Sequence, residues 1–155
     1  GVGVQLRSFP TLTKDFLDKL ALSIANNFNG QEVKLISLQD LSDIPVLEYF
    51  QSTLEQNGIK STIIKNLSID DAIEEISSLE YLIGMRFHSC LIAAKAGVKV
   101  LGINYDKKVE ELSKEVGFPL IELNASFKDS TFDSIFQIQV EKYNIPKTNF
   151  PNFFI

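Results

Sequence analysis

Strand-like and helix-like segments alternate along this chain, and that alternation restricts its fold more than any other feature. Val2 to Leu6 is a short apolar run that reads as a strand. Thr13 caps a helix whose apolar positions Leu17, Leu20, Ala21, Ile24 and Phe28 share one face, and Asn29-Gly30 ends it. Val33 to Leu38 is a second strand. Ser42 or Asp43 caps the next helix, with Pro45 in its first turn, Leu47, Phe50 and Leu54 facing inward, and Gly58 as its stop. The β-branched run Thr62-Ile63-Ile64 is a third strand. Ser68-Ile69-Asp70-Asp71 has capping-box spacing, opening a helix with Ile69, Ala72, Ile73 and Ile76 inward. Tyr81-Leu82-Ile83 is a fourth strand, followed by a helix of small residues from Ser89 to Ala96 that ends at Gly97. Val98 to Ile103 is a fifth, apolar on both faces as a central parallel strand should be. Asp106 caps a helix with Val109, Leu112 and Val116 inward and Gly117 as its stop, and Leu120 to Leu123 is a sixth strand. Phe132, Ile135, Phe136 and Val140 mark a last helix, and residues 143–155 form an irregular tail with Pro146 and Pro151.

Strands alternating with helices imply an α/β fold: a doubly wound parallel sheet, Rossmann-like, covered on both faces. The default order is 3-2-1-4-5-6, with the ligand crevice beyond the strand C-termini where the order reverses. That places strands one and four side by side. Arg7 follows the first, and Gly84-Met85-Arg86-Phe87-His88 follows the fourth. Two arginines and the sole histidine are thus expected to converge from distant parts of the chain.

The chemistry of that set favours an anion. Guanidinium groups pair with carboxylate and phosphate through two parallel hydrogen bonds. Arg86 and His88 also stand where a helix opens, and its N-terminal N–H groups attract negative charge. Gly84 would let a ligand approach the backbone closely. A histidine can deliver a proton near neutral pH. Asn104 and Tyr105, at the end of the fifth strand, are expected to line the same pocket.

Simpler roles compete with these. An arginine after a strand is commonly solvated or salt-bridged, and Arg7 taken alone reads as structural. A single histidine in an apolar stretch is commonly a hydrogen-bonded structural residue. Met85 and Phe87 read as core, Cys90 as a small buried residue and Asp106 as a helix cap. Gly1-Val2-Gly3-Val4 is no dinucleotide fingerprint, because the third glycine is absent and the glycines lie inside the strand.

Composition excludes several classes. The 155 residues fit one domain, and a 45% hydrophobic content supports a sizeable core. A net charge of −5 argues against a non-specific nucleic-acid binder. No apolar run is long enough to span a membrane, and no signal-peptide pattern opens the chain. With one cysteine and one histidine, neither a disulfide framework nor a zinc site is expected, and the setting reads as reducing and cytoplasmic.

The segment Gly84-Met85-Arg86-Phe87-His88-Ser89-Cys90, then Ala93-Ala94-Lys95-Ala96-Gly97-Val98, then Leu101-Gly102-Ile103-Asn104-Tyr105-Asp106-Lys107-Lys108-Val109, resembles the polysaccharide pyruvyl transferase family. It is most similar to the branch that pyruvylates cell-wall polymers used to anchor S-layer proteins. Val2 to Arg7 is similar to that family's strand ending in Leu-Arg. The resemblance implies the C-terminal half of a two-domain GT-B-type protein. Residues 1–142 would form the domain that binds phosphoenolpyruvate (PEP), and an acceptor-binding domain would precede Gly1. It implies transfer of the enolpyruvyl carbons of PEP to a hexose, giving a cyclic ketal and phosphate. Arg7 and Arg86 would hold the donor, with Gly84, Asn104 and Tyr105 around it, and His88 would be the acid. The resemblance implies PEP as the small-molecule donor and a saccharide, free or lipid-linked, as the acceptor, with neither cofactor nor metal required. Two alternatives share the architecture: a glycosyltransferase using a nucleotide sugar, and a binding domain without activity.

Overall fold

The computed structural model describes residues 1–123, so the last expected helix and the tail lie outside the described residues. Six strands form one parallel sheet: β1 (Val2–Gln5), β2 (Val33–Ile36), β3 (Ser61–Ile64), β4 (Tyr81–Gly84), β5 (Lys99–Asn104) and β6 (Leu120–Glu122). Their order is β3-β2-β1-β4-β5-β6, the doubly wound arrangement expected from the sequence. β1 pairs with β2 on one side and β4 on the other, with Val2 opposite both Val33 and Tyr81.

Between the strands run α1 (Lys14–Asn27), α2 (Asp40–Gln56), α3 (Ile69–Ser77), α4 (Phe87–Lys95) and α5 (Lys107–Val116). α1 packs beside α2, while α3, α4 and α5 pack in a row. Strand alternation sends Val2, Val4, Leu35, Ile83, Leu101 and Ile103 into the α1–α2 core. Ile36, Leu82 and Val100 point into the core under α3, α4 and α5. Phe16, Leu20, Phe50 and Leu54 are fully or almost fully buried, each such side chain contributing roughly 1.5–3 kcal/mol. No helix among the described residues is long and apolar enough to cross a membrane.

Helix ends follow their caps. Thr13 accepts from the Phe16 N–H, Ser68 and Asp71 form a reciprocal capping box, and Asp106 accepts from the Lys108 N–H. Gly117 closes α5 at φ 92°, a left-handed conformation that suits glycine.

α2 departs from expectation. It starts at Asp40, so Ser42 and Asp43 lie inside it and Pro45 falls beyond its first turn. The cause is Asp43, whose carboxylate reaches back to accept from the N–H groups of Leu38 (2.9 Å) and Gln39 (3.1 Å). Those bonds satisfy donors that helix geometry leaves unpaired, and the helix can begin earlier. Ile69 also departs. Expected inward, it is 71% exposed at the first position of α3.

Candidate functional site

β4 ends at Gly84, and two residues later Arg86 is the N-cap of α4. Arg86 is gripped at both ends. Its backbone N–H donates to Gln5 Oε1 at 2.8 Å. Its guanidinium donates from Nη2 to Asp43 Oδ1 at 2.7 Å, and from Nε to both carboxylate oxygens at 3.2 Å. The Asp43 side chain is fully buried and that of Arg86 is 12% exposed.

Gln5 joins the two. Its Nε2 donates to Asp43 Oδ2 (3.1 Å) and to the Leu6 carbonyl (3.0 Å), while Oε1 also accepts from Ser89 Oγ (3.4 Å). Each atom of the amide thus meets a partner of the right kind. The network ties the end of β1, the first turns of α2 and the β4–α4 junction together at the point where strand order reverses. Removing one partner from a buried, hydrogen-bonded ion pair costs about 3–5 kcal/mol, so each member of this junction matters to the fold.

Outside the network lies a cleft of about 390 Å³. Its walls include Gln39, Ser68 and Ile69, then Arg86, Phe87 and His88, then Tyr105, Asp106 and Lys108. The opening turns of α3, α4 and α5 therefore meet here, as the crevice rule for open α/β sheets requires. α3 and α5 carry side-chain caps; α4 has none, its N-cap being Arg86. Arg86, His88 and Lys108 border the space, and Asp106 is the one carboxylate among its lining residues. His88 is exposed, its ring edge-on to Phe87 at 5.4 Å between centroids. A larger hollow, about 510 Å³, lies at the opposite end of the sheet beside Glu32, Glu55 and the start of β3. Its two carboxylates outnumber its single cation, Lys60, a balance that disfavours an anion.

The expected residues divide. Arg86, His88 and Tyr105 line the cleft; Arg7, Gly84 and Asn104 do not. The Arg7 guanidinium lies over the Tyr105 ring at 5.6 Å, its Nε donating to the Ser8 carbonyl, and Phe9 meets the same ring edge-on at 5.1 Å. Arg7 thus braces a wall of the cleft. The Asn104 amide donates to Glu110 (3.2 Å) and Glu122 (2.9 Å), toward β6. That amide, with Lys114 beside it, holds the Glu110 carboxyl below the usual carboxylate range. Gly84 gives α4 its close seat: a Cβ there would lie 2.9 Å from Cys90 Sγ and 3.0 Å from Ser89 Oγ. Phe87, expected in the core, is a half-buried wall residue. Cys90 is fully buried, as expected, and burial pushes its thiol up to about 12.

Sequence reasoning missed Asp43, Ser68 and Lys108 as site residues. Ser68 and Lys108 were detectable, since both lie at helix starts that follow strand ends. Asp43 reads in the sequence only as a helix cap; its tie to the site left no local signal, because Gln5 and Arg86 lie 38 and 43 residues away.

Comparisons with known proteins bear on the fold and the family. Among solved structures the chain is similar to WaaG, a glycosyltransferase involved in lipopolysaccharide biosynthesis, at 11% identity and a TM-score of 0.60. The match covers 92% of this chain and 38% of that one, and at such identity it shows the fold alone. No curated protein matches significantly. A family model described as polysaccharide pyruvyl transferase matches residues 3–107. That span holds β1 from Gly3 onward, the Asp43–Arg86 junction and every wall residue of the cleft except Lys108. Running over more than half of the sequence and through the whole switch point, it establishes that the chain belongs to the polysaccharide pyruvyl transferase family.

Proposed function

We propose that the cleft holds phosphoenolpyruvate as the donor for pyruvyl transfer to a hexose of a surface or cell-wall polysaccharide. The observation that carries this reading is the gathering of Arg86, His88 and Lys108 around one cleft at the strand C-termini. PEP bears a carboxylate and a phosphate, and a chain with net charge −5 needs a local set of cations to hold it. The S-layer-anchoring branch and the two-domain GT-B arrangement rest on the sequence resemblance. So does a separate acceptor-binding domain. A reducing, cytoplasmic setting suits the free thiol of Cys90.

In the proposed reaction, a proton adds to the methylene carbon of PEP, which becomes a methyl group, and positive charge develops on the adjacent carbon. One sugar hydroxyl attacks that carbon. The bond to the phosphate oxygen then breaks, with the electron pair leaving on phosphate. The second hydroxyl attacks and closes the ketal. Of the two hydroxyl protons, one replaces the proton given to the methyl group and the other leaves with phosphate.

His88, exposed at the second position of α4, is the candidate acid or the group that neutralises the departing phosphate. A positioned acid contributes a factor of ~10²–10⁴. Arg86 and Lys108 orient the donor and stabilise charge on the leaving group. Tyr105, braced by Arg7 and Phe9, forms a wall against which the donor lies. Gly84 and Asn104 act indirectly, through the seat of α4 and the β5–α5 turn.

Calorimetric titration of the chain with PEP and a panel of nucleotide sugars tests the reading. PEP is expected to bind, and Arg86→Ala and His88→Ala, checked for folding by circular dichroism, are expected to weaken it. Binding of a nucleotide sugar in place of PEP would instead favour the glycosyltransferase alternative.

A further inference from the structure

Building on the donor-site reading, we infer that Asp43 is a positioning residue for the reaction, setting the hydrogen-bonding edge that Arg86 presents to the donor. The guanidinium has five N–H donors on three nitrogens. Asp43 engages Nε and one Nη2 hydrogen side-on, at 3.2 and 2.7 Å. That leaves Nη1 and the outer Nη2 hydrogen, an end-on fork of the shape that pairs with a carboxylate or phosphate. Arg86 borders the cleft with a side chain only 12% exposed, so few rotamers are open to it.

Asp43 is itself immobilised. Its carboxylate accepts from the Leu38 and Gln39 N–H groups and from Gln5 Nε2 as well as from Arg86. The same Gln5 fixes the Arg86 backbone through Oε1. Side chain and main chain of Arg86 are therefore set by one connected network, anchored in β1 and α2.

The pairing has an electrostatic consequence. Asp43 cancels most of the long-range charge of Arg86, so Arg86 contributes direction and His88 and Lys108 contribute the net attraction. A lysine at position 86 would offer a single ammonium, occupied by Asp43, with no second edge for a ligand.

Asp43→Asn separates positioning from folding. The asparagine oxygen can still accept from Leu38 and Gln39, preserving the start of α2, while its amide faces the guanidinium with donors. The chain has two arginines, Arg7 and Arg86, so the Nε–H resonance of Arg86 is assigned by comparison with Arg7→Ala. In the parent chain that proton is expected to exchange slowly with water, and in Asp43→Asn quickly. PEP affinity is expected to fall about tenfold to a hundredfold in Asp43→Asn, the loss of one charge-assisted hydrogen bond. Arg86→Lys is expected to fall as far while keeping the ion pair, and it decides the matter if Asp43→Asn does not fold. PEP binding at the parent affinity in either folded variant would overturn the proposal while leaving the donor site intact. A parent chain that holds the Nε–H yet fails to bind PEP would overturn the donor-site reading, and this assignment with it.

Discussion

Gly84 has no room for a methyl group. Its Cβ would fall within about 3 Å of Cys90 Sγ, Ser89 Oγ and Leu82 Cδ2, all buried. Ser89 and Cys90 belong to the first turn of α4, so any adjustment moves the turn that carries Arg86 and His88. Gly84→Ala is expected to destabilise the fold by about 1–3 kcal/mol through overpacking. Thermal denaturation reads this as a lower Tm, and PEP affinity is expected to fall as well. An unchanged Tm would mean that α4 is seated more loosely than the packing indicates. The sequence marks Gly84 as special but not why, because the atoms it accommodates come from a helix packed over the strand. Arg86 shows the same limit. Its place at the switch point follows from strand order, whereas its buried partner Asp43 becomes visible only once α2 is folded against β1.

Ser68 carries the start of α3 and one wall of the cleft. Its hydroxyl accepts from the Asp71 N–H at 3.1 Å, and the Asp71 carboxylate accepts from the Ser68 N–H at 3.4 Å. Ser68→Ala breaks the box and is expected to cost about 1 kcal/mol of stability. Urea denaturation measures this as a lower midpoint with an unchanged slope; a midpoint equal to the parent would show that the box contributes nothing. At this scale the sequence is most legible where a signal is local. The caps Thr13, Ser68 and Asp106 and the stops Gly58 and Gly117 all act within a few residues, and each helix end lies where they indicate. The start of α2 is the exception, since Asp43 caps from inside the helix while also serving a residue on another element. The exposed start of α3 is another. Periodicity assigns Ile69 to the inner face, yet as the first residue of the helix it is 71% exposed.

For the molecule as a whole, a parallel sheet with helices on both faces leaves few places where helix starts can converge, and strand reversal between β1 and β4 selects one. That site was legible from the order of elements alone. Its full cation set was not, because Lys108 reaches the cleft from α5 and Arg7 is diverted onto Tyr105. The account's central claim is that PEP occupies this cleft, and amide chemical-shift mapping tests it most directly. On addition of PEP, the account predicts saturable shifts at Phe87, His88 and Ser89 and from Tyr105 to Lys108, with none near Glu32, Glu55 and Lys60. Saturable shifts confined to that opposite end of the sheet, or none in the cleft at millimolar PEP, would contradict it.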